Sequence, residues 1–433
     1  MSVLELDREH VIHPNHPLGT AVELNIVRGE GVRLFDAEGR AFLDGRSQLN
    51  CANLGYGHPR LIRAIQEQVQ SLPYLSIFYQ FTHPQVVQCA ARIAASAPGD
   101  LQQVLFTSGG SEALEAALAA IRLYWSRLGR GKTKIISRYQ GYHGATSGAI
   151  AATGMPMGGA NSIQRLMPGH IHIAAPQPVH RSGEDEALQA RRAADQLEEA
   201  IETEGAESVA AYIAEPVIGV GGYIPPPAGY WPLVREICDR HGVLLVLDEV
   251  MTGFHRTGPR FAAQHWGLIP DIMILGKGIN GCYVPCGAAL FSRRIMDVLS
   301  GAKLSGFTHS GHPLAMAAAN AAFDAYEQDG IEAHVQKMHS VLMERLRAEF
   351  LRLPSVAAVE GLGLMLAIEL QRGPQSGVAD EALQKVVAAA LQKGLIIRGR
   401  NSRLALCPPL IVSEAEAMLM LDILHPLLRD VSA

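Results

Sequence analysis

Between residues 83 and 292, short and almost wholly apolar segments alternate with segments of helical periodicity. Strands that are apolar on both faces are typical of a mainly parallel sheet covered by helices on both sides. The alternation therefore predicts an open α/β sheet, and ligands of such sheets bind beyond the carboxyl ends of the strands. We predict helices over 83–97 and 111–125, and strands over 102–107, 134–139, 209–216, 243–250, 271–278 and 286–292.

The segments on either side of this region have different patterns. Residues 31–45 predict a β-hairpin, and after about residue 312 long helical stretches lead to short strands and a final helix. A chain of 433 residues also exceeds the size of a single ordinary core. We therefore predict an N-terminal segment (1–60) that packs on a smaller α+β domain (313–433), with a large sheet domain (61–312) between them.

Composition and charge exclude several classes of protein. The net charge of −5 is spread along the chain without a basic stripe, so we expect no nucleic-acid partner. No apolar run is long enough to cross a bilayer and the first residues lack a signal-peptide pattern, so we expect no membrane association. The cysteines form no CxxC pair and no metal-binding cluster, which favours reduced thiols, no metal site and a cytoplasmic location. They are Cys51, Cys89, Cys238, Cys282, Cys286 and Cys407.

Two ionisable residues follow the most apolar predicted strands. Lys277 comes after DIMIL between Gly276 and Gly278, where poor solvation favours the neutral, nucleophilic amine that forms a Schiff base. The alternative is a lysine that extends its ammonium group from a strand end to solvent. Asp248 ends VLLVL, where a buried carboxylate needs a partner. A protonated pyridine nitrogen is a suitable partner, and Arg256 is the alternative.

Two further segments offer a phosphate site and an aromatic face. In TSGGSEALEAAL (107–118) a strand ends at a Gly-Gly pair and a helix begins at about Ser111, and the free N–H groups there suit a phosphate. Ser111 also suits an ordinary helix cap. In GYHGAT (141–146), Tyr142 offers a face for stacking on a heteroaromatic ring, or is an ordinary loop tyrosine. Because all four features follow predicted strands, we expect them to converge on one crevice.

This combination resembles the class III (omega) aminotransferases, which are pyridoxal-phosphate enzymes of fold type I, over nearly the whole chain. DEVMTGFHRTG (248–258) followed by PDIMILGKGINGCYVPCGA (270–288) is similar to the family signature, and SGGSEA, YHG, AEPV and FTHSGHP occur in the expected order. Within the family, the chain resembles transaminases that act on ω-amino acids or amines with pyruvate. The resemblance implies pyridoxal 5′-phosphate as cofactor, a large, mainly parallel seven-stranded sheet domain, and a smaller α+β domain formed by both termini.

The resemblance also implies roles for individual residues. Lys277 is expected to hold the cofactor as a Schiff base and to move the proton during the reaction, and Asp248 to pair with the pyridine nitrogen. Thr308 is expected to reach the phosphate of a neighbouring subunit, because this family builds its sites at the interface of a homodimer, alone or within a dimer of dimers. The other cofactor-binding residues implied are Gly110, Ser111, Tyr142, His143, Glu215 and Val250.

Three residues are implied to contact the substrate. Arg398 matches the mobile arginine that binds the carboxylate of an amino or keto acid, although Arg400 and Arg403 lie nearby. Asn50 occupies a position where relatives that act on aryl amines often carry tryptophan, which argues against a preference for aryl amines. Phe78 lies in an aromatic stretch that either lines the substrate wall or packs in the core.

The reaction that the resemblance implies is ping-pong transamination. An ω-amino acid or amine gives its amino group to the cofactor, and a keto acid such as pyruvate then receives it. An aminomutase, decarboxylase or racemase of the same fold is the nearest alternative, and a non-catalytic protein of this fold is more remote. Nucleotide-binding and serine-hydrolase functions are disfavoured, because GRGKT (129–133) lacks the first glycine of a phosphate-binding loop and GxSxG is absent.

Overall fold

The computed structural model describes residues 1–14, 16–20, 22–156, 167–371 and 376–431. Within these residues the strands form one seven-stranded and two four-stranded sheets. The strands are β1 Ile26–Glu30, β2 Arg33–Asp36, β3 Ala41–Asp44, β4 Leu101–Thr107, β5 Lys134–Arg138, β6 His170–Ile173, β7 Val209–Ala214, β8 Leu244–Asp248, β9 Ile272–Leu275, β10 Gly287–Ser292, β11 Val356–Leu362, β12 Met365–Leu370, β13 Leu395–Ile396, β14 Arg398–Arg400 and β15 Arg403–Leu406.

Helices cover the sheets and connect their strands. Those of the described residues are α1 Val3–His10, α2 Ser47–Asn50, α3 Pro59–Ser71, α4 Pro84–Ser96, α5 Gly110–Arg127, α6 Ser147–Ala152, α7 Val179–Ser182, α8 Glu186–Glu204, α9 Tyr230–His241, α10 Arg293–Val298, α11 Pro313–Gln328, α12 Ile331–Glu349, α13 Ser376–Gln392 and α14 Glu414–Arg429. The helices and strands predicted from the sequence all occur, with ends shifted by a few residues.

The seven-stranded sheet has the order β4-β10-β9-β8-β7-β5-β6. Strands β7, β8 and β9 are buried along their whole length, because α5 covers one face of the sheet while α8 and α9 cover the other. The predicted mainly parallel α/β sheet is therefore confirmed. Strand β10 runs antiparallel to both of its neighbours, and the edge strand β6 was not among the predicted strands.

The two ends of the chain meet in a second sheet. The predicted hairpin forms β2 and β3, and β13 from the C-terminal part pairs in parallel with β3 through Leu395 with Leu43 and Ile396 with Asp44. This pairing brings residues that are more than 350 positions apart in sequence into one sheet. The predicted boundaries at residues 60 and 312 remain predictions. Within the described part of the chain, no helix has the length and apolar composition needed to cross a membrane.

Candidate active site

A cavity of ≈ 370 Å³ lies beyond the carboxyl ends of β4, β7, β8 and β9, and we call it the cofactor cavity. Its position follows from the topology, because parallel strands end at the same edge of a sheet. The predicted site residues that line it are Gly110, Ser111, Tyr142, His143, Glu215, Asp248, Val250 and Lys277. The structure therefore brings together the four features that the sequence predicts to converge.

The N-terminus of α5 opens into the cofactor cavity. The helix begins at Gly110 with Gly109 as its cap, and no side chain accepts a hydrogen bond from its first N–H groups. The alternative role of Ser111 as helix cap is therefore wrong, and its Oγ instead accepts a hydrogen bond from the backbone N–H of Ala145 at 3.1 Å. Free N–H groups and the positive end of the helix dipole suit a phosphate group.

Asp248 ends β8 and is 4% exposed. Its Oδ1 accepts a hydrogen bond from the backbone N–H of Val250 at 3.0 Å, and its Oδ2 lies 2.8 Å from His143 Nδ1. Arg256, the alternative partner, is used elsewhere: its guanidinium donates to the carbonyl oxygen of Pro408 at 2.6 Å. The Asp248 carboxylate is therefore held in place without a cationic guanidinium, and it keeps acceptor capacity for a protonated ring nitrogen.

Glu215 follows β7 and is also buried. Its Oε1 accepts a hydrogen bond from Gly219 N–H at 3.0 Å, whereas its Oε2 is buried with no hydrogen-bond partner in the described structure, as is His143 Nε2. Burial raises the pKa of Glu215 and the pKa of Tyr142. Two unpaired buried polar atoms beside one cavity indicate a polar ligand, because such atoms are costly when unsatisfied.

Lys277 follows β9 and adopts a left-handed backbone with φ of 43°. This conformation is uncommon for a residue with a side chain, and such strain occurs preferentially at functional sites. Val250 packs closely against the glycines on either side of the cavity, since a Cβ atom at Gly110 would lie 2.9 Å from Val250 Cγ2, and one at Gly276 would lie 3.2 Å from Val250 Cγ1. The two glycines therefore allow the chain to pack tightly around the floor of the cavity.

A second cavity of ≈ 610 Å³ shares Lys277, Tyr142 and Val220 with the first, and we call it the arginine cavity. The predicted substrate residues Asn50 and Arg398 both line it. Asn50 Oδ1 accepts a hydrogen bond from the Tyr223 hydroxyl, so its side chain is fixed as a polar part of the wall. The remaining described lining residues are Pro14, His16, Arg46, Leu49, Pro156, Val220 and Arg400.

The structure distinguishes among the three arginines near residue 400. Arg403 is buried and forms ion pairs with Glu360 and Glu369 at 2.6 and 2.5 Å, so it is a structural residue. Arg398 and Arg400 line the arginine cavity instead. Burial lowers the pKa of Arg398, and the positive charges of Arg46 and Arg400 lower it further.

Two predicted residues lie outside both cavities. Thr308 is exposed, and its carbonyl oxygen accepts a hydrogen bond from the Tyr74 hydroxyl at 3.1 Å. Phe78 is 55% exposed and contacts Gly306, so the alternative that it packs in the core is wrong. Their predicted roles toward cofactor and substrate stay predictions.

Several residues at the site were not predicted. Val220, Met251, Cys282 and Pro285 line the cofactor cavity, and Arg46 lines the arginine cavity. The apolar members carry no chemical signal in the sequence. Arg46 did carry a chemical signal, because it is a basic residue two positions after the end of strand β3 and four positions before Asn50.

Comparison with known proteins shows which proteins this chain is similar to. Residues 16–428 match the family described as aminotransferase class-III. The putrescine–pyruvate aminotransferase of Pseudomonas aeruginosa is 35% identical over 404 residues, which cover 90% of this chain and 87% of that protein. A thermostable ω-transaminase six-fold mutant from Pseudomonas jessenii has a TM-score of 0.94 at 32% identity, covering 100% of this chain and 99% of that chain. The ω-transaminase from P. jessenii in complex with PMP has a TM-score of 0.93 at 32% identity, covering 99% of this chain and 98% of that chain.

Proposed function

We propose that this chain, which belongs to the class-III aminotransferase family, transfers an amino group from an ω-amino acid or amine to a keto acid such as pyruvate, with its cofactor held at Lys277. Membership of the family makes the chain a pyridoxal-phosphate-dependent aminotransferase. The observation that supports the assignment of the site is that Lys277, Asp248 and the uncapped N-terminus of α5 line one cavity.

Pyridoxal phosphate supplies an electron sink for the carbon that bears the amino group. The N-terminus of α5 and the Ser111 hydroxyl would hold its phosphate, and Tyr142 and Val250 would hold its ring. Asp248 would keep a proton on the ring nitrogen, and His143 holds the Asp248 carboxylate in position. Glu215 Oε2, which has no hydrogen-bond partner in the described structure, would be available to a polar group of the cofactor.

Lys277 has two tasks in this scheme. Its Nζ would hold the cofactor covalently between turnovers, and when free it would act as a general base and then as a general acid. In that role the Nζ would hold and move the proton of the substrate carbon that bears the nitrogen. Lys277 lines both cavities, which places its side chain between the cofactor site and the substrate site.

The substrate is bound in the arginine cavity. Arg398 binds the carboxylate of the keto acid, and Asn50 gives the wall a polar group where an aryl amine would need an apolar one. We propose diamines such as putrescine and ω-amino acids as donors, because the relative from P. aeruginosa is a putrescine–pyruvate aminotransferase. The amine and the keto acid are the small-molecule partners of the enzyme.

The proposal includes a homodimer in a cytoplasmic location, alone or as part of a dimer of dimers. Support comes from the exposed aromatic side chains near residue 78, which are Tyr74, Phe78, Tyr79 and Phe81. Such a group of exposed aromatic residues is typical of a protein interface. In a dimer, Phe78 would line the substrate wall and Thr308 would bind the phosphate of the neighbouring subunit.

The test is the absorbance spectrum of the purified holoenzyme with a panel of amines in the absence of keto acid. We expect ω-amino acids or diamines to convert the aldehyde form of the cofactor to the amine form, and pyruvate to restore it. An aminomutase or decarboxylase would turn over these compounds without accumulating the amine form. A protein that binds no pyridoxal phosphate would contradict the proposal.

A further inference from the structure

Three guanidinium groups, those of Arg46, Arg398 and Arg400, line the arginine cavity. None of its described lining residues is an aspartate or a glutamate. Neither Arg46 nor Arg398 forms an ion pair with any described residue. The Arg400 guanidinium donates to the carbonyl oxygen of Pro156 at 3.3 Å, and burial lowers the pKa of Arg400 while the charge of Asp380 raises it. Arg46 and Arg398 thus line the cavity without a counter-ion among the described residues, which indicates an anionic ligand.

Arg46 is held in this position by the chain around it. The buried Asp44 carboxylate accepts hydrogen bonds from the backbone N–H of Arg46 at 3.2 Å, from that of Gln48 at 3.0 Å and from the Tyr56 hydroxyl at 2.6 Å. The Asp44 carboxylate therefore fixes the backbone of the turn, and it does not form an ion pair with the Arg46 guanidinium. The Nε of Arg46 is buried and has no hydrogen-bond partner in the described structure.

The short element α2 that follows Arg46 contains residues with non-helical backbones and forms a strained turn. Ser47, Gln48 and Asn50 all have left-handed backbones, with φ of 49°, 54° and 59°. Each such residue costs free energy, and strain of this kind persists where it positions functional groups. The strained turn places Arg46 and Asn50 in the wall of the same cavity.

The charges of Arg46 and Arg398 act on each other. The positive charge of Arg46 adds to the effect of burial in lowering the pKa of Arg398. Two cations that repel each other across a cavity are stabilised by an anion between them, and more strongly by a ligand that gives each its own carboxylate.

We propose that Arg46 is a second carboxylate-binding residue beside Arg398, and that the preferred acceptor is a dicarboxylic 2-keto acid. This inference rests on the proposed function and names its acceptor class. Pyruvate has one carboxylate and uses Arg398 alone, whereas a dicarboxylic acceptor engages both guanidinium groups.

The experiment compares acceptors that differ only in the second carboxylate. The holoenzyme is first converted to its amine form by an amino donor and freed of that donor, then mixed with 2-oxoglutarate, 2-oxopentanoate or pyruvate. The return of the aldehyde form is followed by absorbance, and its dependence on acceptor concentration separates binding from the maximal rate. We expect the second-order rate constant with 2-oxoglutarate to exceed that with 2-oxopentanoate by about 10- to 100-fold. One hydrogen bond between charged groups changes binding affinity by about this factor.

Variants assign the effect to the side chain. Arg46→Gln should lower the rate constant for 2-oxoglutarate by about 10- to 100-fold, mainly through weaker binding, and those for 2-oxopentanoate and pyruvate by at most about threefold. Arg46→Lys should recover part of the loss because it restores the charge. Arg63→Gln, an exposed position on α3, is the matched control and should behave like the wild type. Bound cofactor is measured in each variant to verify folding.

Two results would overturn the inference. One is a wild type that reacts equally with 2-oxoglutarate and 2-oxopentanoate, and the other is an Arg46→Gln variant that loses the same factor with all three acceptors. Failure of the amine form to react with any keto acid would instead contradict the proposed function, and the inference with it.

Discussion

The cofactor cavity and the arginine cavity share Lys277 but are built in different ways. In the cofactor cavity, ionisable groups lie at the ends of buried strands and each is held by a hydrogen bond within the chain, as Asp248 is by His143 and Glu215 is by Gly219. In the arginine cavity, charged groups lie on a strained turn and on the three-residue strand β14, and neither Arg46 nor Arg398 forms an ion pair with a described residue.

The difference indicates that separate parts of the fold carry the groups for catalysis and the groups for substrate selection. The edge of the parallel sheet fixes the groups that every turnover needs, because strands are rigid and their ends converge. The turns and short strands from both ends of the chain carry the groups that select the substrate. We expect the reaction rate to be sensitive to small chemical changes in the cofactor cavity. In the arginine cavity, we expect repulsion between the guanidinium groups to lower the stability of the free protein until an anionic substrate binds.

The largest effect is expected for Asp248→Asn. The amide can still accept the hydrogen bond from Val250 N–H, but it loses the charge that keeps a proton on the ring nitrogen. We expect kcat to fall by about 10²- to 10³-fold, the usual result of removing one preorganised electrostatic contact. Asp297→Asn, on the surface of α10, is the control. A kcat within a factor of about three of the wild type would mean that the cavity does not depend on this charge.

The next effect concerns Glu249, which lies beside Asp248 and is fully buried. Burial raises the pKa of Glu249 to about 7 from its ordinary 4.5, although its carboxylate accepts hydrogen bonds from the backbone N–H groups of Ala262 and Ala263. Because the folded protein binds this proton more tightly than the unfolded chain, its stabilising contribution is present below about pH 4.5 and is lost as the pH rises through about 7.

The variant Glu249→Gln tests this assignment. The free energy of unfolding is measured by denaturant titration at several pH values. Between about pH 5.5 and pH 8, that of the wild type should fall by about 1–3 kcal/mol relative to that of Glu249→Gln. Glu236→Gln, at an exposed position on α9, should leave the pH dependence as it is in the wild type. A difference between wild type and Glu249→Gln that is constant with pH would show that Glu249 does not titrate in this range.

The smallest effect is expected for Arg46→Met in the absence of substrate. Removing one of the mutually repelling guanidinium groups should raise the thermal midpoint by about 1–2 °C, because the repulsion destabilises the folded protein when no anionic substrate is bound. Arg63→Met controls for the change from a cation to an apolar side chain. A lower midpoint for Arg46→Met would show that the arginine cavity is stabilised within the chain, as the cofactor cavity is, and the contrast between the two would fail.

The same contrast governs what could be predicted from the sequence. The long apolar segments ending in Asp248 and Lys277 predict both the sheet and the cofactor-binding edge, because the ends of parallel strands must converge. The edge strand β6 was missed because its sequence, HIHI, is short and only half apolar. The cap of α5 was misassigned because Gly109 has no side chain that signals it.

The arginine cavity was harder to predict. Its walls come from the turn at residues 46–50 and from residues near 400, which the pairing of β3 with β13 and the hydrogen bonds of Gly45 and Ser47 with Cys407 bring together. Arg403 can be told apart from Arg398 as a structural residue because it forms ion pairs with Glu360 and Glu369. No local sequence pattern reveals those ion pairs. Contacts between distant segments, rather than propensities, decide this part of the site.

The central claim is that Lys277 carries the cofactor, and the most direct measurement is reductive trapping. Holoenzyme is treated with borohydride, digested and mapped by mass spectrometry, with Lys277→Ala and Lys132→Ala treated in the same way. The account predicts that the trapped cofactor is found on the peptide containing Lys277 in the wild type and in Lys132→Ala, and that it is absent in Lys277→Ala. Trapped cofactor on another lysine of the wild type, or equal labelling of Lys277→Ala, would contradict it.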